Sequence, residues 1–460
     1  FSQETLRGFG VVLKLKALLA NSFVRNVSVL AGGTAVAQGI ALLGLPLLTR
    51  LYSPEEFGTL GVFVAMLGMI SVMAGLRYEI AIPLPESDKS AANLLAVALL
   101  CSTVVSVLVT AVTLLFAGPI SHLVNSPALA KMWWLLPLGV SVTSAYAALQ
   151  FWATRKKAFR RIAATRIQQA VGGLSTQALL GWMGVGAWGL VLGQVVNAGA
   201  GFLGLAWRAA KEDRESLRSL SWGEMRSAAS DYQRFPKYSA VEALANMAAV
   251  QLPLILIAGL VAGEEVGYLM LGMRVMQAPV GLIGSSINQV YFPRAVEQHR
   301  QGQLAGLTIG AVASLAKIGA GPLLWAGIVA PALFPMIFGP QWLRAGELVA
   351  WMTPWFVFQF LSQPVSMAIH VTSNQKLGLM IQLLGLLLRT GSVLALMELS
   401  AGELVSEGYA ISGFIFYFFY LLTILSISGV SIAHGIRLLA GAGPFVLFWL
   451  AFGIVIRVLI

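Results

Sequence analysis

The chain has 460 residues, 58% of them hydrophobic and only 11% charged, with 30 Lys+Arg against 19 Asp+Glu. Soluble domains carry roughly a quarter charged residues, so this composition leaves too little polar surface for a water-facing globule; it excludes disorder, collagen-like repeats and, with Cys101 as the sole cysteine, a disulfide scaffold. The chain reads as a polytopic membrane protein, and its net charge of +11 is explained by cationic loops rather than by nucleic acid.

Residues 1–26 place Lys14 and Lys16 among Leu13, Leu15, Leu18 and Leu19, which predicts an amphipathic segment on the cytoplasmic membrane surface; no signal-peptide cleavage site is present. Windows of about 20 apolar residues then recur near 27–49, 57–76, 91–117, 131–152, 162–182, 185–207, 238–262, 266–288, 304–330, 346–370, 377–397, 408–430 and 440–459. They predict an all-α membrane protein of about thirteen spanning helices (12–14), with a fourteenth after Ile460 left open. A β-barrel would alternate over short segments and is excluded.

Loop charges set the expected orientation. Arg155, Lys156, Lys157, Arg160, Arg161, Arg208, Lys211, Arg214, Arg218, Arg226, Arg234 and Lys237 fall in one set of loops, with Lys89, Arg294, Arg300, Lys376 and Arg437. The alternate set holds little beyond Arg50, Lys131 and Arg344, and carries Glu55, Glu56, Glu264, Glu265, Glu403 and Glu407. Positive loops stay inside, so the amino terminus is expected in the cytoplasm.

The polar stretch 208–236 divides the chain into a lobe of helices one to six (27–207) and a lobe of helices seven to twelve (237–430), with an additional helix in 431–460. LGLPLLTRLYSPEEFGTLGVF around Pro46 parallels VQLPLILIAGLVAGEEVGYLML around Pro253, and Gly58 and Gly267 lie 209 residues apart. Six helices per half gives both copies one orientation, related by a pseudo-two-fold axis along the membrane normal with a substrate cavity between the lobes.

Several spans carry polar stripes at helical spacing, which in hydrocarbon must face protein or a wet cavity. Arg274, Gln277, Gly281, Ser285 and Asn288 share one face of the eighth span. Gln359, Gln363, Ser366 and His370 do so on the tenth, Thr34 and Gln38 on the first, Gln168, Gly172 and Thr176 on the fifth, and Glu242 and Asn246 on the seventh. Arg274 lies about eight residues, roughly 12 Å, inside its span. Lys317 and Arg389 fall near the middle of theirs, while Glu242 is the one intramembrane acid and sits near a helix end. A net-cationic interior suits an anionic ligand.

No GxxxxGK[ST] loop is present, the three aspartates Asp88, Asp213 and Asp231 are too dispersed for a transferase metal, and the four histidines form no zinc pattern. A transporter, not an enzyme, fits best, and no cofactor is implied.

The stretches AGGTAVAQGIALLGLPLLTRLYSPEEFGTLGVF and VGYLMLGMRVMQAPVGLIGSSINQVYFPRA resemble the first outer turn and the eighth helix of Wzx-type oligosaccharide flippases. These belong to the polysaccharide-transporter branch of the multidrug/oligosaccharidyl-lipid/polysaccharide exporter superfamily. The resemblance implies two six-helix lobes in a V around a central cavity that opens alternately to each side of a bacterial inner membrane. It implies a substrate made of a short glycan on undecaprenyl pyrophosphate, such as an O-antigen repeat unit, and glycan polymerase machinery as a partner. Arg274 and Arg50 match cationic positions of that family. Two departures favour a polysaccharide substrate: Gln38 stands in the first helix where peptidoglycan-precursor flippases carry an arginine, and that helix lacks the aspartate of ion-coupled drug exporters.

The expectation is that Arg274 holds the pyrophosphate, that Arg50, Arg389 and Lys317 extend a cationic wall, and that Gln277, Gln38, Gln363 and Asn288 contact the glycan. Pro46, Pro253 and Pro279 interrupt their helices and localise bending. Glu242 and His370 are the candidates for sodium or proton coupling. The alternative is a sodium- or proton-coupled drug or metabolite antiporter of the same superfamily; a third reading is a scaffold for glycan-assembly enzymes built on the basic 208–236 segment.

Overall fold

A computed structural model describes residues 22–261, 263–399, 402–431, 435 and 441–459. Most of the amphipathic segment expected at 1–26 lies outside the described residues. Among the described residues the regular structure is helical throughout. The first lobe comprises α1 (Ser22–Leu51), α2 (Pro54–Ala74), α3 (Asp88–Leu123), α4 (Leu135–Arg155), α5 (Phe159–Trp182) and α6 (Ala187–Glu212). The second comprises α7 (Phe235–Leu260), α8 (Gly263–Arg300), α9 (Leu304–Phe338), α10 (Leu343–Ser362), α11 (Gln375–Glu398) and α12 (Val405–Ile427). An extra helix, α13 (Gly443–Leu459), packs on α9 through Trp449 and Phe452 against Trp325.

Ten of these segments are long and apolar enough to cross a membrane. Of the other three, α13 is short, α5 is made less apolar by Arg160, Arg161, Arg166 and three glutamines, and α10 by Arg344, Glu347 and Gln359. α6 breaks at Ala200–Gly201, where Gly201 takes φ +92°, a conformation that costs glycine nothing. The helices run unbroken across Pro46, Pro253 and Pro279, so the expected interruptions at these prolines are absent.

Charge separates the two ends of the bundle. The connections after α2, α4, α6 and α8, with the adjoining helix ends, carry the arginine and lysine clusters and form the basic end; those after α1, α7 and α11, with the first turns that follow, carry the glutamates. At the basic end residues 208–236 are packed against the first lobe. Short helices at Arg214–Arg218 and Trp222–Asp231 lie there, Trp152 donates its indole N–H to Asp213, and Tyr78 donates to the Ala229 carbonyl. Lys156 bridges Asp88 and Asp213 at 2.7 and 2.8 Å. Burial opposes its charge, but the hydrogen bonds to Asp213 and Asp88 outweigh that and hold its pKa above the ordinary lysine value.

The lobes close on each other at the opposite end. α2 starts there on a capping box: Ser53 Oγ accepts from the Glu56 amide, and the Glu56 carboxylate accepts from the Ser53 amide at 2.7 Å, with Pro54 in the first turn. One turn further, Gly58 lies so close to α8 that a Cβ would collide with the Gly263 carbonyl, and a Cβ on Gly267 would collide with the Pro54 carbonyl. Because 54 and 58 relate to 263 and 267 by the 209-residue repeat, the two collisions are one contact seen from each side of the pseudo-two-fold axis. Between them Trp342, fully buried, wedges edge-on between Phe57 of α2 (5.0 Å) and Tyr268 of α8 (5.9 Å). Its indole N–H and the Gln341 amide both donate to the Thr49 carbonyl at 3.1 Å. Thr49 is in the last turn of α1, whose carbonyls have no intrahelical partner, so the second lobe caps the first. Arg344 joins Glu265 and Glu407 at 2.7 Å each on the same level.

Candidate functional site

Below the sealed end a cavity of about 540 Å³ opens between the lobes, walled by α1, α5 and α6 on one side and by α8 and α10 on the other. Seven amides line it: Gln38, Gln177, Gln194 and Asn197 from the first lobe, Gln277, Gln359 and Gln363 from the second. Arg274 is its one charged residue among the described residues; the remaining walls are aliphatic, with Leu42, Leu45 and Leu174 prominent. Helices α1 and α8 approach near its middle, where a Cβ on Gly281 would meet Gln38 Nε2 at 3.7 Å.

Heights follow from the helical rise. Counted from the sealed end at 1.5 Å per residue, Gln177 and Gln194 lie about 8–10 Å down, Arg274 about 16 Å, and Gln38 and Gln359 about 20–24 Å. Arg274 therefore occupies mid-depth with amides above and below it. It is half-buried, and no carboxylate among the described residues lies within ion-pair distance. A lone guanidinium at bilayer mid-depth costs about 2.5–3.5 kcal/mol even on the mild insertion scale, so its position demands either water or an anion. Chemically the site offers a fork of N–H donors suited to a phosphate oxygen pair, surrounded by neutral groups that pair with hydroxyls.

Of the residues expected at the site, Arg274, Gln277, Gln38 and Gln363 line this one cavity, with Gln359 and Gly281. The Asn288 side chain lies outside the described residues. The other cations are elsewhere. Arg50 is exposed in the last turn of α1, where a cation complements the helix dipole. Lys317 is exposed on the outer face of a π turn at Ala316–Ala320, next to Ile318 at 64% exposure.

Arg389 is 1% exposed inside the second lobe. Its guanidinium rests on the rings of Phe416 (4.4 Å), Trp355 and Tyr417 (both 5.4 Å), and donates to the Ala249 carbonyl at 3.2 Å. That carbonyl stands four residues before Pro253, which has no N–H to give it. Arg389 thus completes the hydrogen bonding of α7, and does not extend a cationic wall.

Glu242 is exposed two turns into α7 near the basic end, and His370 is exposed at the same end. The tenth-span stripe stops at Gln363: Pro364 breaks α10 into a 3-10 turn, Ser366 hydrogen-bonds back to the Gln363 carbonyl, and His370 sits on a separate short helix. On α5 the cavity face is Ala170, Leu174 and Gln177, not the expected Gln168, Gly172 and Thr176. Gly172 instead approaches Val196 and Ala200 of α6, and Thr176 hydrogen-bonds to the Gly172 carbonyl. Sequence reasoning also missed Gln194 and Asn197, which stand three apart on α6, a spacing that signals a shared face.

The family model described as polysaccharide biosynthesis protein matches residues 47–347. The succinoglycan biosynthesis transport protein ExoT of Rhizobium meliloti (strain 1021) is 24% identical over 349 residues, covering 71% of this chain and 64% of that protein. The chain therefore spans just under two thirds of that relative's length. Among solved structures it is similar in fold to the lipid II flippase MurJ in an inward closed conformation, with 12% identity, a TM-score of 0.69, and coverage of 94% of this chain and 96% of that one. It is also similar to an inward-facing multidrug resistance MATE family transporter of the MOP superfamily, with 15% identity, a TM-score of 0.60, and coverage of 86% and 96%. At these identities the structural likeness establishes the two-lobed transporter fold and no more.

Proposed function

The chain belongs to the polysaccharide biosynthesis protein family, and from that premise we propose that it is a flippase for lipid-linked oligosaccharide. The observation that carries the reading is Arg274, an unpaired guanidinium at mid-depth in a cavity otherwise lined by amides and aliphatic side chains. A glycan joined to its lipid through a diphosphate presents this combination in complement: anionic oxygens for the arginine and hydroxyls for the amides. Undecaprenyl pyrophosphate with an O-antigen-type repeat unit is the proposed substrate. The name of the succinoglycan relative describes a transport protein, and that of the solved MurJ neighbour a lipid flippase, which supports this reading over catalysis.

In this proposal the basic end faces the cytoplasm of a bacterial inner membrane, with the amino terminus on that side, and the state described is closed to the outside. The headgroup enters from the cytoplasmic leaflet, Arg274 takes the diphosphate, and the lipid tail stays in the bilayer between the lobes. Parting of the Gly58–Gly267 and Trp342–Thr49 contacts, with closure below, then releases it outward. An inside-negative potential of 100 mV contributes about 2.3 kcal/mol per charge moved outward, roughly 4–5 for two charges. No carboxylate lines the cavity among the described residues, so this account gives Glu242 and His370 no part in coupling.

Binding tests the reading directly. Purified protein in detergent is titrated with undecaprenyl-diphosphate oligosaccharide and followed by native mass spectrometry. Loss of a charge-assisted bidentate contact worth about 1.5–3 kcal/mol predicts 10- to 100-fold weaker binding for Arg274→Ala, with part of it retained in Arg274→Lys. Binding of equal strength by wild type and Arg274→Ala, both folded, would remove the observation on which the reading stands.

A further inference from the structure

The cavity also constrains the sugar. Its amides are not free to present either end. Gln177 Nε2 donates to the Leu190 carbonyl at 3.1 Å and Asn197 Nδ2 to the Gln169 carbonyl at 2.9 Å. Gln359 Nε2 points to Gln363 Oε1 at 3.4 Å. Backbone carbonyls can only accept, so the first two amides are fixed with nitrogen toward the protein, and their oxygens are the atoms left for a ligand. In addition, the Oε1 atoms of Gln38 and Gln359 are shielded from solvent and receive no hydrogen bond. Buried in this way they are not offered to a ligand, so the acceptors fixed toward the cavity are the oxygens of Gln177 and Asn197.

We propose that the glycan this cavity accepts is uncharged and rich in O–H and N–H donors, such as neutral hexoses and acetamido sugars, and that it discriminates against sugars bearing a carboxylate. The inference rests on the flippase reading above and adds a substrate class to it. A uronate or a pyruvylated sugar brings acceptors to a wall that already presents acceptors. Arg274, the one cation of the cavity among the described residues, is engaged by the diphosphate. A further negative charge would lie in a low-dielectric cavity with no partner and with the diphosphate as a like-charged neighbour. Hydroxyl and acetamide groups, by contrast, supply donors to the Gln177 and Asn197 oxygens.

The test uses proteoliposomes and three fluorescent glycans on the same undecaprenyl diphosphate: a neutral acetamido oligosaccharide, a matched oligosaccharide with one uronate, and that uronate oligosaccharide converted to its primary amide. The expected result is at least about tenfold faster translocation of the neutral glycan than of the uronate, with the amide restoring most of the difference. Gln194→Arg, which adds a cation to a side chain with no other hydrogen bond, should narrow the gap by speeding the uronate. Equal rates for neutral and uronate glycans would overturn the substrate class while leaving the flippase reading intact, and so would faster movement of the uronate. Movement of none of the three by folded protein would overturn both.

Discussion

Arg389 and Pro253 form a pair whose coupling is measurable. Pro253 withdraws the N–H that would bond the Ala249 carbonyl, and Arg389 supplies the replacement at 3.2 Å while its charge lies over three aromatic rings. Arg389→Ala removes a charged hydrogen bond of about 1.5–3 kcal/mol and desolvated cation–π contacts of about 2 kcal/mol. It also releases the desolvation penalty of a buried cation, so the expected net loss is about 2–4 kcal/mol. Pro253→Ala returns an N–H to the Ala249 carbonyl, so the same arginine substitution should cost about 1–2 kcal/mol less in that background. The assay is reversible unfolding in mixed dodecylmaltoside–SDS micelles, followed by tryptophan fluorescence for all four corners of the cycle. Additive losses would refute the assignment of Arg389 to the proline-freed carbonyl. If Arg389→Ala left stability untouched and abolished glycan binding, the arginine would belong to the substrate after all.

The sealed end yields further predictions. With Cys101→Ser as background, cysteines at Glu55 and Gly263, where a Cβ on the glycine lies 4.0 Å from Glu55 Cγ, should crosslink under mild oxidation and stop translocation, which reductant then restores; unimpaired transport by the crosslinked protein would contradict closure at this end. Gly58→Leu cannot fit against the Gly263 carbonyl, so it should cut that crosslinking several-fold, and undiminished crosslinking would show that the contact is not tight. Trp342→Phe keeps a ring between Phe57 and Tyr268 but loses the N–H to the Thr49 carbonyl, which Gln341 still serves, so a loss of about 1 kcal/mol is expected in the unfolding assay. Clamping the vesicle potential at zero should slow outward movement of the diphosphate-linked glycan, and an unchanged rate would exclude the potential as driving force.

Much of the fold is visible in the chain because hydropathy alone marks the spans and the SPEEFG/GEEVG echo marks the repeat. The structure explains why that echo exists: Gly58 and Gly267 are the point where the two copies touch. Arg274, Gln277 and Gln38 were likewise readable, since a polar stripe in hydrocarbon needs a wet face. The α5 stripe shows the limit of that reasoning. Gln168, Gly172 and Thr176 have the spacing of a cavity face, yet Gly172 and Thr176 serve packing on α6, and the cavity face is set by which neighbours surround the helix. Arg389 shows a second limit. An intramembrane arginine reads as a ligand site until the carbonyl it satisfies, on another helix 140 residues away, is seen beside it.

The central claim is that Arg274 carries the diphosphate of a lipid-linked glycan across the membrane. Translocation of fluorescent undecaprenyl-diphosphate oligosaccharide in proteoliposomes, comparing wild type with Arg274→Ala and Arg274→Lys at matched insertion, tests it most directly. The account predicts transport by wild type, a loss of at least about tenfold in the alanine variant and partial recovery with lysine. Equal rates in all three, or no transport by folded wild type, would contradict it.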